Sequence, residues 1–341
     1  MGHKRLALEA GEDPAHNNHG LLIWTVLIPF TASSIRTGHP ARQYQHCRYN
    51  VDNYRLLKEA GIGTYILFQE TYHKKVIWSS TLPVRNIELR LPHYRNGQSH
   101  GGGIDDVGIG VLFGLDKYRY EFTGLLMHAE HLEAAFGVGP HTISVPRLRH
   151  ADDIDADAFD NGIDDDTFAK IVACIRIAVP YTGMIISTRE NQKCRERVLH
   201  LGISQISGGS RTSVGGYCEP EPEDERSEQF DVSDTRTLDE VVRWLMKMDY
   251  IPSFCTACYR EGRTGIVSCL FAKRQIQNCC HPNALMTLEE YLMDYASPET
   301  KAIGDKLIDR EILNVPNLKA RAVVEENLRL IRENNRRDFR F

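Results

Sequence analysis

The chain has 341 residues, of which 42% are hydrophobic, so it is long enough for one large domain, or one large and one small, with a proper core. Its formal net charge of -5 excludes the broad basic field that nucleic acids and anionic membranes attract. The longest apolar run, residues 21–30, is too short to span a bilayer and lacks the pattern of a signal peptide. We therefore expect a cytoplasmic protein with no membrane and no nucleic-acid partner.

The predicted elements alternate between strands and helices. A helical stretch, then Gly-Ile, then a strand-like run recurs at residues 56–69, 101–114 and 199–209. Glycine after a helix is the usual left-handed cap, and an apolar run after it suits a buried parallel strand. Other strands are expected at 6–11, 141–146 and 183–187, and helices at 117–135, 165–178, 189–200 and 236–249. The alternation predicts a parallel sheet, and the number of units favours a (β/α) barrel over a doubly wound sheet.

Polar or glycine-rich residues follow most of these strands. In a parallel barrel the carboxyl ends of the strands form the active face. We therefore expect one site built from residues 11–13, 69–73, 146–147, 187–189 and 208–211.

Residues 250–341 are predicted to form a small C-terminal domain that is mainly helical, with helices at 286–296 and 317–335. Residues 1–249 then form the barrel. The C-terminal domain begins with FCTACYREGRTG (254–265), and NCCH (278–281) follows shortly after. This cysteine segment predicts a metal site.

Three interpretations of the cysteine segment differ in their chemistry. A disulfide is the weakest, because the chain has an odd number of cysteines, nine, and no secretion signal. Zinc needs four ligands, which Cys255, Cys258, Cys280 and His281 would supply. Three thiolates would instead hold a four-iron cluster with one iron open to another ligand. The spacing leaves zinc, an iron–sulfur cluster and a CxxC without metal all open.

Nine runs resemble the radical-SAM tyrosine lyases of [FeFe]-hydrogenase maturation. They are EAGEDP, AGIGTYILFQETYHK, GIDDVGIGVLFGL, LLMHAEHLE, FGVGPHTISVPRLR, GMIISTRE, QISGGSRTSVGGY, PSFCTACYREGRTG and QIQNCCHPNALMTLEEYL. The resemblance is dense over residues 1–17, 51–73, 103–265 and 275 to about 300. The tyrosine lyases of thiamine biosynthesis are similar in the barrel but lack the C-terminal cluster, so the C-terminal cysteines favour the hydrogenase branch.

The resemblance implies a TIM-type barrel with two four-iron clusters. The first binds S-adenosylmethionine and makes a radical that splits tyrosine into p-cresol and dehydroglycine. The second, auxiliary cluster in the C-terminal domain supports conversion of the fragment to carbon monoxide and cyanide on an extra iron. The product serves the hydrogenase cofactor, so other hydrogenase maturation proteins are implied partners.

The resemblance also assigns metal and cofactor residues. Cys255, Cys258 and Cys280 match the ligands of the auxiliary cluster, although Cys279 is adjacent and the spacing is one residue shorter than the family pattern. His141 matches the histidine of the extra iron. From the residues alone, His141 would be an ordinary strand-end histidine.

Ala10, Gly11 and Glu12 match the motif that receives the amino group of S-adenosylmethionine, since a carboxylate accepts charged hydrogen bonds from an ammonium. Arg147 and Arg189 are candidates for the carboxylate of tyrosine, which a guanidinium binds in a fork. The remaining expected cavity residues are Glu70, Tyr72, His73 and Ser187. No residue is identified as catalytic.

The sequence departs from the family in two ways. The radical-SAM signature CxxxCxxC is absent from the 341 residues, so the ligands of the first cluster are missing and the barrel is expected to be amino-terminally truncated, without its first strand. Stretches 18–50, 74–100 and 266–274 lose the family pattern, and we hypothesise out-of-frame translation between compensating insertions and deletions. The strand expected within 18–50 is then lost as well.

These departures predict a chain that is inactive alone and retains a partial barrel with a C-terminal iron–sulfur site. Two alternatives stay open: a thiamine-pathway tyrosine lyase, that is, a 2-iminoacetate synthase, and a non-catalytic fragment that carries iron or zinc.

Overall fold

The computed structural model describes residue 2 and residues 6–9, 42–45, 51–74, 92–149, 159–211 and 232–341. Within them, seven strands form one sheet whose order is the order of the chain. The strands are β1 (Leu6–Glu9), β2 (Arg42–Gln45), β3 (Thr64–Ile66), β4 (Val107–Gly110), β5 (Thr142–Ser144), β6 (Gly183–Ile186) and β7 (Gln205–Ile206).

Each strand pairs in parallel with the next one along the chain. Helices lie between successive strands: α1 (Val51–Glu59) and α2 (Pro92–Gly101), then α3 (Tyr118–Phe136), α4 (Asp165–Ala178) and α5 (Gln192–Leu199). Sequential order is that of a TIM barrel, whereas a doubly wound sheet reverses its order at a switch point. The predicted partial TIM-type barrel is therefore confirmed.

The main core lies between the sheet and these helices. Every residue of β3 and of β4 is buried, as a parallel sheet covered on its faces requires. Leu125 and Leu132 of α3 and Phe168 and Ile175 of α4 are fully buried against it. Each such side chain contributes roughly 1.5–3 kcal/mol of transfer free energy.

Helix α6 (Leu238–Lys247) belongs to both cores of the chain. It begins at a capping box, in which Thr237 and Glu240 each bind the backbone of the other. Its Val241 and Trp244 pack in the barrel core, whereas Val242 packs in the second core. The C-terminal helices are thus joined to the barrel through opposite faces of α6.

The second core is built by helices, as predicted for the C-terminal region. The helices of this region are α7 (Ala257–Arg260), α8 (Ile266–Arg274), a π-helical turn (Ile276–Cys280), α9 (His281–Asp294), α10 (Pro298–Glu311) and α11 (Leu318–Asn334). Of these, α9, α10 and α11 supply the buried residues of the second core. Helix α9 is central, since eleven of its residues are buried. In the described segments, every helix is too short or too polar to cross a membrane.

Regular structure occurs in all three stretches that lose the family pattern. The expectation that stretch 18–50 has lost its strand is wrong for residues 42–45, which bond in register to both β1 and β3. The run Arg-Gln-Tyr-Gln has no apolar pattern, so backbone pairing with its neighbours, and not its side chains, defines this strand. Helix α2 lies partly in stretch 74–100, and helix α8 fills stretch 266–274.

Candidate functional site

The predicted site residues fall into two groups at opposite ends of the sheet. His141 directly precedes β5, whereas Arg147 follows the same strand. Glu70 follows β3 and Ser187 follows β6. Because the strands are parallel, the substrate candidates share the carboxyl end, and His141 lies at the amino end.

The loop after β3 is held by a buried carboxylate from α3. Glu121 is fully buried and accepts hydrogen bonds from the Thr71 hydroxyl and from the Tyr72 amide, the latter with an N–Oε2 distance of 2.8 Å. Burial raises the pKa of Glu121, although these two hydrogen bonds act against the shift. Glu121 therefore fixes the loop that carries Glu70, Tyr72 and His73, a support that the sequence did not predict.

Tyr72 and His73 each approach a titratable side chain. Tyr72 Oη lies 3.0 Å from His128 Nδ1, and His73 Nδ1 lies 2.9 Å from Asp116 Oδ2. Burial, and then the negative charge of Glu121, raise the pKa of Tyr72, so the phenol stays neutral. A neutral phenol donates one hydrogen bond and accepts another. Tyr72 can thus orient a polar group without adding charge to the site.

Arg147 is fully engaged within the protein. Its Nε lies 2.9 Å from Glu190 Oε1, its Nη2 donates to Glu190 and to Asp165 (2.8 Å), and its Nη1 donates to the Ile163 carbonyl (3.1 Å). Burial would lower the pKa of Arg147, but the hydrogen bonds and charge of Glu190 raise it, so the guanidinium stays charged. Its role toward a substrate carboxylate stays a prediction, and it would act alongside these internal contacts.

One group of potential metal ligands surrounds this guanidinium. Asp165, Glu190 and Cys194 offer ligand atoms that all lie within 4.8 Å of one another. Arg147 Nη2 donates to both carboxylates and lies 3.5 Å from Cys194 Sγ. Burial raises the pKa of Cys194 to about 12, so the thiol keeps its proton. These residues do not fit a metal, because an internal cation already satisfies them.

Ser187 and Arg189 lie at the end of β6, and both are half-buried. The Arg189 amide donates to Ser187 Oγ over 3.3 Å, so the two residues form one compact turn. The candidates for S-adenosylmethionine, Ala10, Gly11 and Glu12, lie outside the described residues and stay predictions.

At the amino end, His141 is held in the sheet by its backbone and contacted on both ring nitrogens. Its amide donates to the Val107 carbonyl over 2.8 Å. Its Nε2 lies 2.8 Å from Tyr259 Oη, and that hydroxyl lies 2.8 Å from Thr64 Oγ1. Its Nδ1 lies 3.5 Å from Asp106 Oδ2. The histidine thus has a defined orientation at the edge of three adjacent strands.

The cysteine segment docks on this end of the barrel through Tyr259 and Gly265. Tyr259 immediately follows Cys258 in α7, and the Gly265 amide donates to Asp106 Oδ1 over 2.9 Å. The Thr264 hydroxyl donates to Asp105 Oδ2 over 3.0 Å. The fold therefore brings His141 and the CxxC segment together, although more than a hundred residues separate them in the chain.

Cys255, Cys258 and Cys280 are half-buried, and each is a free thiol. Burial raises the pKa of Cys280 to about 11, and the negative charges of Cys258, Cys255 and Cys279 raise it further, against the positive charge of Arg263. The other three thiols therefore lie within electrostatic reach of Cys280.

This donor set fits an iron–sulfur cluster. Clustered thiolates repel one another, and a bound cationic centre offsets this repulsion. Thiolates are the ligands that hold iron–sulfur clusters. His281 follows Cys280, and its buried Nε2 makes no hydrogen bond. Zinc with this histidine as fourth ligand is the chemical competitor.

Residues 338–341 tie the two cysteine-bearing segments together. Asp338 accepts two hydrogen bonds from Arg260 of α7. Arg263 donates to the Phe341 carbonyl over 2.8 Å, and the Phe341 amide donates to Asn283 Oδ1 of α9 over 2.9 Å. The CxxC helix and the helix that follows Cys280 thus share one clamp.

Several of these contacts have a weak signal in the sequence. Thr64 and His141 each stand at the start of a strand, and Asp106 directly precedes one. Their alignment follows once the strands are taken as parallel neighbours. Tyr259 has no such signal, since its partner lies 118 residues away.

Comparison with protein families and curated proteins gives two kinds of relative. The Biotin and Thiamin Synthesis associated domain matches residues 144–251. The 2-iminoacetate synthase of Salmonella typhimurium is 27% identical over 242 residues, which are 71% of this chain and 61% of the relative. The 2-iminoacetate synthase of Escherichia coli is 29% identical over 189 residues, 55% of this chain and 49% of the relative. The chain thus spans about half to three fifths of these curated relatives.

Solved structures give closer similarities. HydG, described as a maturase of the [FeFe]-hydrogenase, is 46% identical with a TM-score of 0.92, over 100% of this chain and 74% of that chain. HydG from Carboxydothermus hydrogenoformans is 35% identical with a TM-score of 0.78, over 96% of this chain and 70% of that chain. Methylornithine synthase (PylB), at 17% identity and a TM-score of 0.56, supports the fold alone.

Proposed function

Because the chain belongs to the HydG family, we propose that its C-terminal cysteines hold the auxiliary four-iron cluster of a hydrogenase maturase. Cys255, Cys258 and Cys280 are the ligands, and His141 receives an extra iron that is the cargo of the site. In the complete enzyme the cluster, when bound, supports conversion of the tyrosine fragment to carbon monoxide and cyanide on that iron. The iron then passes to other hydrogenase maturation proteins.

The convergence of His141 with the CxxC helix is the observation that carries this proposal. Tyr259, next to Cys258, contacts His141 Nε2 at 2.8 Å. A histidine in contact with the residue next to Cys258, at the amino end of the sheet, suits an iron beside a cluster better than it suits the carboxyl-end site. The family resemblance and this contact both support the assignment of His141 to the auxiliary site.

The choice between Cys280 and its neighbour Cys279 rests on the electrostatic surroundings of Cys280. The pKa of Cys280 is raised by burial and then by the charges of Cys258 and Cys255, so its thiol lies within electrostatic reach of theirs. We therefore assign the third ligand to Cys280 and leave Cys279 outside the cluster.

The carboxyl end is assigned to tyrosine. Arg189 and Ser187 receive its carboxylate, since a guanidinium and a hydroxyl both donate to it. Glu70, Tyr72 and His73 are assigned to the same site, on the loop that Glu121 holds. Arg147 is assigned to the same tyrosine carboxylate, alongside its internal hydrogen bonds to Glu190 and Asp165.

The first cluster would bind S-adenosylmethionine, whose amino group is assigned to residues 10–12. Its CxxxCxxC ligands do not occur in the 341 residues. The proposal for this polypeptide therefore concerns the auxiliary site, and we expect no tyrosine cleavage by it alone.

A second candidate, 2-iminoacetate synthase activity, is favoured by the names of the curated relatives. It gives no role to Cys255, Cys258 and Cys280, which lie beyond the matched domain. Iron content separates the two candidates, because only the first needs a cluster at these cysteines.

The experiment is anaerobic reconstitution of the whole chain, with iron and acid-labile sulfide counted per chain. We expect about four irons and four sulfides, lost in Cys255→Ala and in Cys280→Ala. Cys279→Ala should keep the cluster, and Cys174→Ala, at an exposed thiol on α4, is the matched control. Colourless protein with one tightly held zinc would overturn the proposal in favour of a zinc-binding fragment.

A further inference from the structure

Three residues stand in a row at the amino ends of adjacent strands. Thr64 begins β3, Asp106 directly precedes β4, and His141 directly precedes β5. The backbone fixes the row, because the Tyr65 amide donates to the Asp106 carbonyl over 3.1 Å and the His141 amide donates to the Val107 carbonyl. The side chains therefore meet in an arrangement set by strand pairing.

The carboxylate of Asp106 has one satisfied oxygen and one that faces the histidine. Asp106 is 2% exposed. Its Oδ1 accepts from the Gly265 amide over 2.9 Å, whereas its buried Oδ2 makes no hydrogen bond and lies 3.5 Å from His141 Nδ1. A buried carboxylate oxygen without a donor is costly, so a protonated Nδ1 is the partner that this oxygen needs.

The other ring nitrogen of His141 meets a donor. Tyr259 Oη lies 2.8 Å from Nε2, and the Thr64 hydroxyl lies 2.8 Å from the same phenol oxygen. When Thr64 donates to Tyr259 and Tyr259 donates to Nε2, the imidazole proton lies on Nδ1 and faces the Asp106 carboxylate. Each of these four side chains then has a hydrogen-bonding or charged partner. The opposite tautomer would leave the Asp106 carboxylate facing a lone pair.

We propose that Asp106 is a positioning residue that keeps His141 in the tautomer whose Nε2 lone pair receives the extra iron. Tyr259 stays hydrogen-bonded to Nε2 until iron binds. The inference rests on the proposed function of the auxiliary site. Carboxylates that accept from the second nitrogen of a histidine ligand orient the ring and strengthen it as a donor. The hydroxyl of Tyr259 must leave Nε2 when iron binds, and Thr64 is the neighbour that can retain it.

The test begins with the tautomer of His141 in the metal-free chain, measured by NMR with ¹⁵N-labelled histidine and assigned with His141→Gln. We expect the Nδ1-protonated form in the wild-type chain. In Asp106→Asn the amide can donate to Nδ1, so the proton should move to Nε2. Asp105→Asn is the matched control, because Asp105 is the exposed neighbour that binds Thr264 instead.

Iron binding gives the second readout. In Asp106→Asn we expect about 10- to 100-fold weaker affinity for the iron beyond the cluster, with the cluster iron and sulfide unchanged. Iron affinity is measured by competition with a chelator after reconstitution. Asp105→Asn should bind as the wild type does.

Three results would overturn the proposal. The first is an Nε2-protonated His141 in the wild-type chain. The second is an Asp106→Asn variant that keeps wild-type iron affinity. The third is a tautomer that changes in Tyr259→Phe, because Tyr259 and not Asp106 would then determine it. The wild-type spectrum decides even if Asp106→Asn does not fold. If no chain assembles a cluster, the proposed function fails, but the metal-free spectrum still tests the role of Asp106.

Discussion

Gly63 permits the close approach of the cysteine segment to the barrel. A Cβ built on Gly63 would lie 2.9 Å from Cδ1 and 3.0 Å from Cε1 of the Tyr259 ring. Gly63 is buried, and its φ lies outside the left-handed region. Alanine is therefore disfavoured at this position by the steric clash with Tyr259 and not by its backbone conformation. We predict that Gly63→Ala displaces Tyr259 and weakens the docking of α7.

The magnitude follows from the contacts of that ring. Carbon atoms pack at about 3.5–4.0 Å, so the ring must retreat by roughly 0.6 Å. Its hydroxyl binds both Thr64 and His141, and losing either hydrogen bond costs about 0.5–1.5 kcal/mol. Overpacking destabilises the protein by a further amount of about 1–3 kcal/mol. Replacing glycine by alanine stabilises it by about 0.4–1 kcal/mol, because the unfolded chain has less conformational entropy. The net loss is about 0.5–4 kcal/mol.

The assay is urea unfolding followed by circular dichroism. Gly162→Ala is the control, because a Cβ at Gly162 meets nothing within 4 Å and should leave stability equal or slightly higher. In a Tyr259→Ala background the same Gly63→Ala change should cost almost nothing, since the obstructing ring is gone. Equal stability of Gly63→Ala and Gly162→Ala, or an undiminished cost in the double variant, would refute the reasoning.

Two further predictions concern buried carboxylates. Glu121→Gln cannot accept both from the Thr71 hydroxyl and from the Tyr72 amide, so hydrogen exchange of that amide should accelerate, by about 5- to 150-fold for a loss of about 1–3 kcal/mol; unchanged exchange would contradict the support assigned to Glu121. Glu190→Gln should lower the free energy of unfolding by about 1–3 kcal/mol at neutral pH, because it leaves the buried Arg147 with only one of its two carboxylate partners, Asp165. Burial opposes the shift, but Arg147 lowers the pKa of Glu190 below its ordinary 4.5. The stability that the ionised Glu190 contributes is therefore fully present above pH 4.5 and is lost as the pH falls through the lowered pKa. The wild-type advantage should therefore shrink below pH 4.5 in urea unfolding, and an advantage independent of pH would argue against an ionised Glu190.

Local signals predicted the elements that have them. Helix α4 (Asp165–Ala178) matches its predicted bounds, because Asp164 accepts from the Thr167 amide at its start and its apolar stripe faces the core. The strands at 142–144 and 183–186 lie inside their predicted ranges, shorter by one to three residues. In each case the pattern reports burial on the sheet.

Elements without a local pattern were missed. Strand β2 is polar and owes its place to backbone pairing with β1 and β3. Helix α8 has exposed Ile266, Val267 and Leu270 and no single apolar stripe, so helical periodicity does not reveal it. Short elements of this kind depend on tertiary context, which a single sequence does not display.

The candidate site divides in the same way. The CxxC at Cys255 and Cys258 is visible as a motif, but its contact with His141 depends on Tyr259 crossing to the amino end of the sheet. The carboxyl-end rule for barrels predicted where substrate residues would gather. It gave no reason to examine the amino end, where Asp106 lies.

Strand β5 sets the distance between the two ends. His141 precedes it and Arg147 follows it, and the chain between them remains extended as far as the bridge between Phe113 and Arg147. Six residue steps at about 3.3 Å each span about 20 Å. No side chain reaches that far, so under the proposed function a fragment released at the carboxyl end would have to cross the interior of the partial barrel to meet iron at His141. The proposed function then predicts that the packing of the barrel interior, and not direct contact between the two sites, controls this transfer.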